Sequence, residues 1–316
     1  MKLLRVVALL SISLPAFAHH GGGSAEGTGG QLTLSPETLK AWKIYLGVHV
    51  DETNLDGISN SRLNREADKG RSLHVADWEE ELAIEGEIGL LDVLTVGLSI
   101  PYRRLDDFRE GLDAVELADA GGNHEAHPAG LGDVPVWAKL RLLDAGGFSV
   151  AVRAGVEVPV GKWNYRNPDG ETLEPSHQPG SGSLDFLADV AIGFHTGAFA
   201  IQAAAGAKIN TMGVRRFEVG DRYRLGVGAG FRFLGDGKAW GLSVTADAWV
   251  DWTTRDIDHG VRNRDSGGWG GSAAPGLRLK VGPFTAQVAV PIQFLNTVRE
   301  EADQDFRVIF SAGISF

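Results

Sequence analysis

The sequence predicts an all-β protein, a transmembrane antiparallel β-barrel of about twelve strands with short periplasmic turns and long extracellular loops. Three observations predict this fold: an N-terminal export signal, a series of long segments in which apolar and polar residues alternate, and connections that are alternately short and long. The 316 residues contain no cysteine, which excludes disulfide frameworks and thiolate sites.

Residues 1–18 are predicted to be a cleaved signal peptide. Lys2 and Arg5 form a basic start, residues 6–14 are mostly apolar, and Ala16-Phe17-Ala18 matches an A-x-A cleavage site. The apolar stretch is too short to span a bilayer as a helix, although a simple N-terminal anchor is the alternative interpretation. Export and the barrel fold together predict the bacterial outer membrane as the location, with its lipid as a partner.

The remaining composition narrows the classes of protein further. The formal net charge is -11, and an acidic chain repels phosphate backbones, so nucleic acid is not expected as a partner. No later segment has eighteen consecutive apolar residues, which argues against a helical membrane protein. An exported protein of this kind is a soluble periplasmic protein, a secreted protein or a barrel.

The period-2 pattern runs through residues 41–316, which we assign to the barrel. Alternation places apolar side chains on one face of a strand and polar side chains on the other. The clearest segment, 148–160, exceeds the 5–6 residues typical of a soluble strand and the 9–11 needed to cross an outer membrane. The predicted strands are 42–51, 77–90, 94–102, 134–142, 148–160, 186–194, 199–209, 223–233, 240–252, 273–281, 284–294 and 306–316.

Individual strands have features of their own. The second carries Glu81, Glu85 and Glu87 between its apolar residues. The eighth sets glycines at 226, 228 and 230 on its polar face, where they leave room or allow a close backbone approach rather than bind a nucleotide. The tenth is the weakest. Prolines inside strand segments are expected at bulges or strand ends, and they are Pro101, Pro135, Pro159, Pro275 and Pro291.

Aromatic residues cluster at the predicted strand ends, as in the girdles of outer-membrane barrels. They are Trp42, Tyr102, Phe148, Tyr223, Phe233, Trp240, Trp252, Phe284, Phe294, Phe306 and Phe316. Such residues also cap strands in soluble β-sandwiches, but outward faces with this many aliphatic side chains would aggregate without lipid.

The connections predict an orientation. Five are short, at 91–93, 144–147, 196–198, 235–238 and 282–283. They alternate with long ones, at 52–74, 103–132, 161–182, 210–221, 253–268 and 295–305. Short periplasmic turns and long outer loops are typical of these barrels, and an even strand number places both barrel ends on the periplasmic side.

Three stretches carry a resemblance to a known family. They are Gly130-Leu131-Gly132-Asp133-Val134 with Lys139, residues 155–161, and Gly180-Ser181-Gly182 with Asp185-Phe186. They resemble the outer-membrane channel family named for the meta-pathway of phenol degradation, often labelled "transporter". The resemblance implies passage of small, often aromatic, compounds. Phe316 at the end of the last strand resembles the signal read by the barrel assembly machinery, a second expected partner.

If the odd positions of 148–160 face inward, the lumen is charged. The candidate binding or pore-lining residues are Glu85, Glu87, Lys139, Arg141, Arg153, Glu157, Asp189, Lys208, Arg222, Arg224, Arg232, Asp247, Arg278 and Lys280. So many charges cannot be buried in a dry core without partners. They could line a conducting pore or form a salt-bridge network that fills the interior, and the sequence leaves both open.

Residues 19–40 form a Gly/His-containing segment ahead of the barrel that begins His19-His20-Gly21. The segment is too polar and glycine-rich for a strand. A flexible periplasmic tail is the favoured interpretation, and a plug in the lumen is the alternative.

We find no chemistry that predicts an enzyme or a cofactor. His124 and His127 are weak metal candidates, because the sequence supplies no third fixed ligand. A barrel lipase would need a Ser and a His together on the lipid-facing surface, and the predicted outward positions contain no His. The sequence therefore predicts an outer-membrane channel for passive diffusion of a small-molecule solute, with aromatic compounds and organic acids as candidates. A non-conducting structural or surface-binding barrel is the alternative.

Overall fold

The structure is a computed structural model that describes residues 29–316 except 56, 70–73, 121, 168–169, 171, 265 and 298–303. The predicted signal peptide, and residues 19–28 of the segment that follows it, lie outside the described residues. The barrel strands are β1 (Ile44–Leu55), β2 (Trp78–Leu91), β3 (Leu94–Asp106), β4 (Val134–Ala145), β5 (Phe148–Val158), β6 (Asp185–Thr196), β7 (Phe199–Ile209), β8 (Arg222–Leu234), β9 (Trp240–Thr253), β10 (Gly268–Val281), β11 (Phe284–Ala289 and Ile292–Asn296) and β12 (Gln304–Ser315).

The twelve strands form one closed antiparallel barrel, as predicted. Each strand pairs with its neighbours in sequence, and β12 pairs with β1 in a register that sets Ser311 opposite His49. Closure removes the exposed edges that an open sheet would present. Of the residues described, no helix is long and apolar enough to cross a membrane.

The two faces of the wall differ as the alternation requires. Outward aliphatic side chains are exposed on most strands, among them Val190, Val227 and Val244, while inward neighbours such as Thr245 and Asp247 are buried. An exposed apolar surface that encircles a protein is stable in lipid and not in water. At one rim, Tyr223, Trp252 and Trp269 stack across three adjacent strands, with ring centroids 5.2 and 6.1 Å apart.

The short and long connections fall at opposite ends, which we call the inner end and the outer end. At the inner end, β4 and β5 are joined by Gly146-Gly147, where both residues have positive φ. A two-residue turn with two positive φ values matches the right-handed twist of the strands, and glycine adopts it without strain. The barrel begins and ends at the inner end, where Ile44 and Phe316 exchange backbone hydrogen bonds.

Several strands extend beyond their predicted bounds, and β10 differs most. It spans fourteen residues from Gly268, whereas the sequence predicted a start at 273. The added residues, Gly268-Trp269-Gly270-Gly271-Ser272, contain three glycines and carry almost no hydrophobic alternation. Ladder pairing with β9 and β11 holds them in the sheet.

Four of the five prolines predicted inside strand segments occupy interruptions of the hydrogen-bond ladder. Pro159 follows the end of β5, and Pro291 divides β11. Pro275 lies between the two stretches of β10 that pair with the two pieces of β11. Pro101 lies where β3 changes partner from β4 to the short strand Ala129–Leu131. Each missing N–H therefore falls where a neighbour is not continuously paired.

The long connections fold into a cap over the outer end. They contain helices α1 (Asn60–Ala67) and α2 (Ala114–Ala120), which the sequence analysis treated as loop, and short strands such as His74–Val75, which pairs with Arg109–Glu110. The cap has its own apolar core, with Leu105, Phe108 and Leu173 in one cluster and Ile58 and Leu63 in another. It is therefore a packed structure.

Two buried histidines lie within this cap. The ring centroid of His177 lies 4.6 Å from that of His74 and 4.9 Å from that of Phe108. Neither ring nitrogen of His177 has a hydrogen-bond partner among the residues described. Burial lowers the pKa of His74 to about 4 and that of His177 well below its ordinary value.

The cap is expected to lose stability as the pH falls from about 6.5 to about 4. The unfolded cap binds protons on these histidines at a higher pH than the folded cap does, so the free energy of unfolding falls across that window. The protection factors of the amides around Pro175–His177, which correct for the pH dependence of intrinsic exchange, should fall there more than those of the barrel strands. A His177→Phe variant, which keeps an aromatic ring beside Phe108, should weaken this dependence, and equal protection factors in the native cap at both ends of the window would contradict it.

Candidate functional site

The barrel interior is polar. All fourteen residues predicted to line the lumen lie on the inward register of their strands, and Lys139, Arg153, Arg222, Glu85, Asp247 and Arg278 are buried. A wide water-filled pore would leave such side chains accessible to solvent. The lumen is therefore closed or very narrow in this structure.

Ion pairs run along the wall between neighbouring strands. Arg153 on β5 and Asp189 on β6 are register partners, and their charged groups lie 2.8 Å apart. Arg224 on β8 and Asp251 on β9 form the same kind of pair at 2.6 Å. Lys208 on β7 reaches Glu157 on β5 past Asp185. These ion pairs join strands that are close together in the wall and neutralise each other's charge there. They do not extend across the lumen to the opposite wall.

Two charged pairs include residues that the sequence analysis missed. Arg103 lies 2.8 Å from Glu81, and Arg307 bonds both carboxylate oxygens of Asp51. Arg103 lies one residue beyond the predicted end of its strand, and Asp51 is the last residue of its predicted strand. Extending the alternation by one step would have found Arg103, whereas Asp51 already lay on the polar face of its predicted strand.

Residues 29–40, which we call the lumen segment, close the lumen. Wall side chains hold it by hydrogen bonds. At the middle of the barrel, the backbone N–H groups of Gln31, Leu32 and Thr33 donate to the carboxylate of Asp247 at 2.8–3.2 Å. Arg278 donates to the carbonyl oxygens of Gly29 and Gly30 at 2.9 and 3.1 Å. Residues 29–40 are therefore not a free tail.

The inward glycines of β8 make room for this segment. A Cβ added to Gly30 would lie 2.7 Å from the Cα of Gly228, and one added to Gly228 would lie 3.1 Å from the Cβ of Thr33. The wall and the segment thus meet backbone to backbone at Gly228, which a side chain at that position would prevent. The glycine stripe identified in the sequence serves this close approach.

The segment leaves the lumen at the inner end. The N–H of Leu39 donates to Thr95 Oγ1 at 2.8 Å, and that of Ala41 donates to the carboxylate of Asp92 at 2.9 Å. Beside it lies a cavity of about 430 Å³, which we call the vestibule. Its lining includes Glu37, Leu39 and Lys40 from the segment and Arg141, Ser149, His195 and Arg232 from the wall.

Other residues predicted to line the lumen also lie on the inward face of the wall. Glu87 on β2 acts electrostatically on Lys139, and Lys280 lies opposite Gly241 on the inward face of β10. At the outer end, Arg103, Glu157 and Lys208 line a cleft beneath the cap together with Pro175.

The two weak metal candidates separate in the structure. His127, Asp107 and Glu125 bring ligand atoms within 4.8 Å of one another, whereas His124 lines a small pocket in the cap. The structure thus supplies the further ligands that the sequence did not reveal. We assign no metal to this group, because His127 is about half exposed and its Nδ1 already lies 2.8 Å from Asp106.

Comparison with known proteins finds similar folds among solved structures but no similar sequence. No protein-family model matches the sequence, and no curated protein matches it significantly. An outer membrane channel from Pseudomonas putida F1 superposes with a TM-score of 0.59 at 15% identity, over 89% of this chain and 98% of the other. The NanC porin gives 0.46 at 8% identity, over 86% and 98%, and LpxR from Salmonella typhimurium gives 0.45 at 12%, over 85% and 99%. The first likeness establishes the outer-membrane type of barrel fold, and scores below 0.5 add nothing to it.

Proposed function

We propose that this protein is an outer-membrane channel for passive diffusion of small molecules, closed here by residues 29–40. The observation that carries the proposal is a polar lumen interrupted by a separable segment. The lumen segment joins no ladder of the barrel, and side chains such as Asp247 and Arg278 hold it through hydrogen bonds. Such contacts can be exchanged for water and solute without unfolding the wall.

The apolar outer surface supports placement in the outer membrane, reached through a cleaved signal peptide and through assembly machinery that reads the strand ending at Phe316. The sequence motifs described above favour the phenol meta-pathway family and therefore small aromatic compounds. The charged lumen favours solutes that are themselves polar or anionic. An aromatic carboxylate satisfies both conditions.

The test is electrical recording from the protein without residues 29–40 in a planar bilayer under a salt gradient. We expect discrete steps of current, and we expect Arg222→Gln with Arg224→Gln to shift the reversal potential toward cation selectivity, since both residues face the lumen. Silence would contradict a channel and favour a structural or surface-binding barrel.

A further inference from the structure

The turn that joins the lumen segment to β1 has a strained backbone. It comprises residues 40–43, which we call the junction turn, and the N–H of Lys43 donates to the carbonyl oxygen of Lys40 across it at 3.0 Å. Trp42, the third residue of the turn, has a φ of 66°, whereas Ala41 does not adopt a positive φ. This is the geometry of a type II turn, in which the third position favours glycine. A tryptophan there is strained, because its Cβ crowds the backbone in the left-handed region.

Packing of the Trp42 side chain does not account for this conformation, since the residue is 75% exposed. Hydrogen bonds of the backbone impose it instead. The N–H of Trp42 donates to the carbonyl oxygen of Gly89 on β2 at 2.7 Å, and the N–H of Gly89 donates to that of Lys43 at 2.9 Å. The N–H of Ala41 donates to the carboxylate of Asp92 at 2.9 Å. These bonds hold the junction turn against the inner end of β2 and β3.

The glycine at position 89 allows the junction turn to approach β2 so closely. A Cβ added to Gly89 would overlap the carbonyl oxygen of Lys40 and lie 2.8 Å from that of Leu39. Both carbonyl groups belong to the lumen segment, so this close approach requires the segment to be seated in the lumen. A Cβ added to Gly86, on the same strand, would meet only the side chain of Leu46 at an ordinary 3.8 Å.

We propose that the junction turn is a strained hinge, and that Trp42 is the positioning residue that biases the lumen segment toward release. Lys40 of the segment accepts the turn's own hydrogen bond, and Thr38 Oγ1 donates to the carbonyl oxygen of Asp92 at 2.7 Å. When the segment leaves the lumen these bonds break, and Trp42 returns to an extended backbone. The strain therefore raises the free energy of the closed position alone and shifts the population toward the open channel.

The hinge acts against the contacts that keep the lumen closed. Asp247 and Arg278 favour the closed position through their hydrogen bonds with the segment. Strain at Trp42 opposes them, so the segment leaves more often than these bonds alone would allow. This inference rests on the proposed function, because it explains how a well-bonded segment stays removable.

The experiment measures release of the segment in the purified full-length protein in detergent. A Ser35→Cys substitution supplies the only thiol of the chain, at a position that is 3% exposed while the segment is seated. The rate at which this thiol reacts with a charged maleimide reports how often the segment leaves the lumen. Trp42→Asn should slow the reaction about fivefold, because asparagine tolerates the left-handed region. Trp42→Phe is the matched control and should react at the native rate, because it keeps the strain.

A second pair of variants tests the hinge in the opposite direction. Gly89→Ala should speed the reaction by about tenfold or more, because the added side chain displaces the carbonyl groups of Lys40 and Leu39. Gly86→Ala makes the same change on the same strand without touching the segment, and it should react at the native rate.

The proposal is overturned if Trp42→Asn reacts at or above the native rate, or if Trp42→Phe slows the reaction equally, even if Gly89→Ala fails to fold. A thiol that stays unreactive in every variant would overturn it as well. The reaction needs no current. Slower reaction of Trp42→Asn in a barrel that stays silent without residues 29–40 would therefore leave the hinge and remove the channel. Current without residues 29–40, together with equal reaction rates, would remove the hinge and leave the channel.

Discussion

Removal of residues 29–40 is expected to raise the conductance of the barrel by about tenfold or more, the largest effect that the structure predicts. The lumen segment fills the space between β7, β8, β9 and β10, where its backbone reaches Gln202, Asp247 and Arg278. Without it, these side chains face an open, hydrated lumen. Single-channel recording of the full-length and shortened proteins measures the difference directly.

A second variant separates loss of the segment from other effects of the deletion. Gly228→Val keeps the whole chain but places a side chain where Gly30 and Thr33 now lie. It should displace the segment and raise conductance in the same direction. Val227→Ala, on the adjacent outward-facing position, should leave conductance unchanged. If neither the deletion nor Gly228→Val changes the current, residues 29–40 do not close the channel.

Substitution of Val227 by arginine is expected to destabilise the barrel by about 2–4 kcal/mol. Val227 lies midway along β8, points outward and is 51% exposed. A charged side chain there must enter the apolar interior of the bilayer, which costs far more than the same change in water. Urea-induced unfolding of the native protein and the variant in lipid vesicles gives the difference in free energy of unfolding.

The matched control for that substitution is Val261→Arg. Val261 is 71% exposed but lies in the cap at the outer end, in contact with water. Its replacement should change the free energy of unfolding by less than about 0.5 kcal/mol. Equal effects at the two positions would mean that the outward surface of β8 does not face lipid.

The wall of the barrel could be predicted because one physical constraint governs it. A strand with lipid on one side and polar groups on the other must alternate, so the pattern of β5 fixes both its strand character and its inward residues. The strand character of Gly268–Ser272 was not predicted, because glycine carries no side chain that could show the alternation. Helix α1 escaped because only Leu63 of its residues is buried, which leaves little helical period to detect.

The sequence left the place of the lumen segment open between a tail and a plug for a different reason. Its order comes from hydrogen bonds between its backbone and wall residues more than 160 positions away, such as Gln202 and Asp247. Backbone groups are the same in every sequence, so the short alternation of residues 31–35 does not show which wall residues the segment contacts. The glycines at 226 and 228 were the available clue, since a wall without side chains implies something close to it.

The most direct test of the account is the alternation itself, measured in a lipid bilayer. Because the chain has no cysteine, single cysteines carrying spin labels can be placed at Val190, Val227 and Val244 on the outward face, at Ser149 and Ser243 on the inward face, and at Val261 as a reference in water. We expect the outward labels to collide readily with oxygen dissolved in the lipid and to avoid a water-soluble nickel complex. Outward labels that meet the nickel complex as often as the label at Val261 would contradict a membrane-embedded barrel.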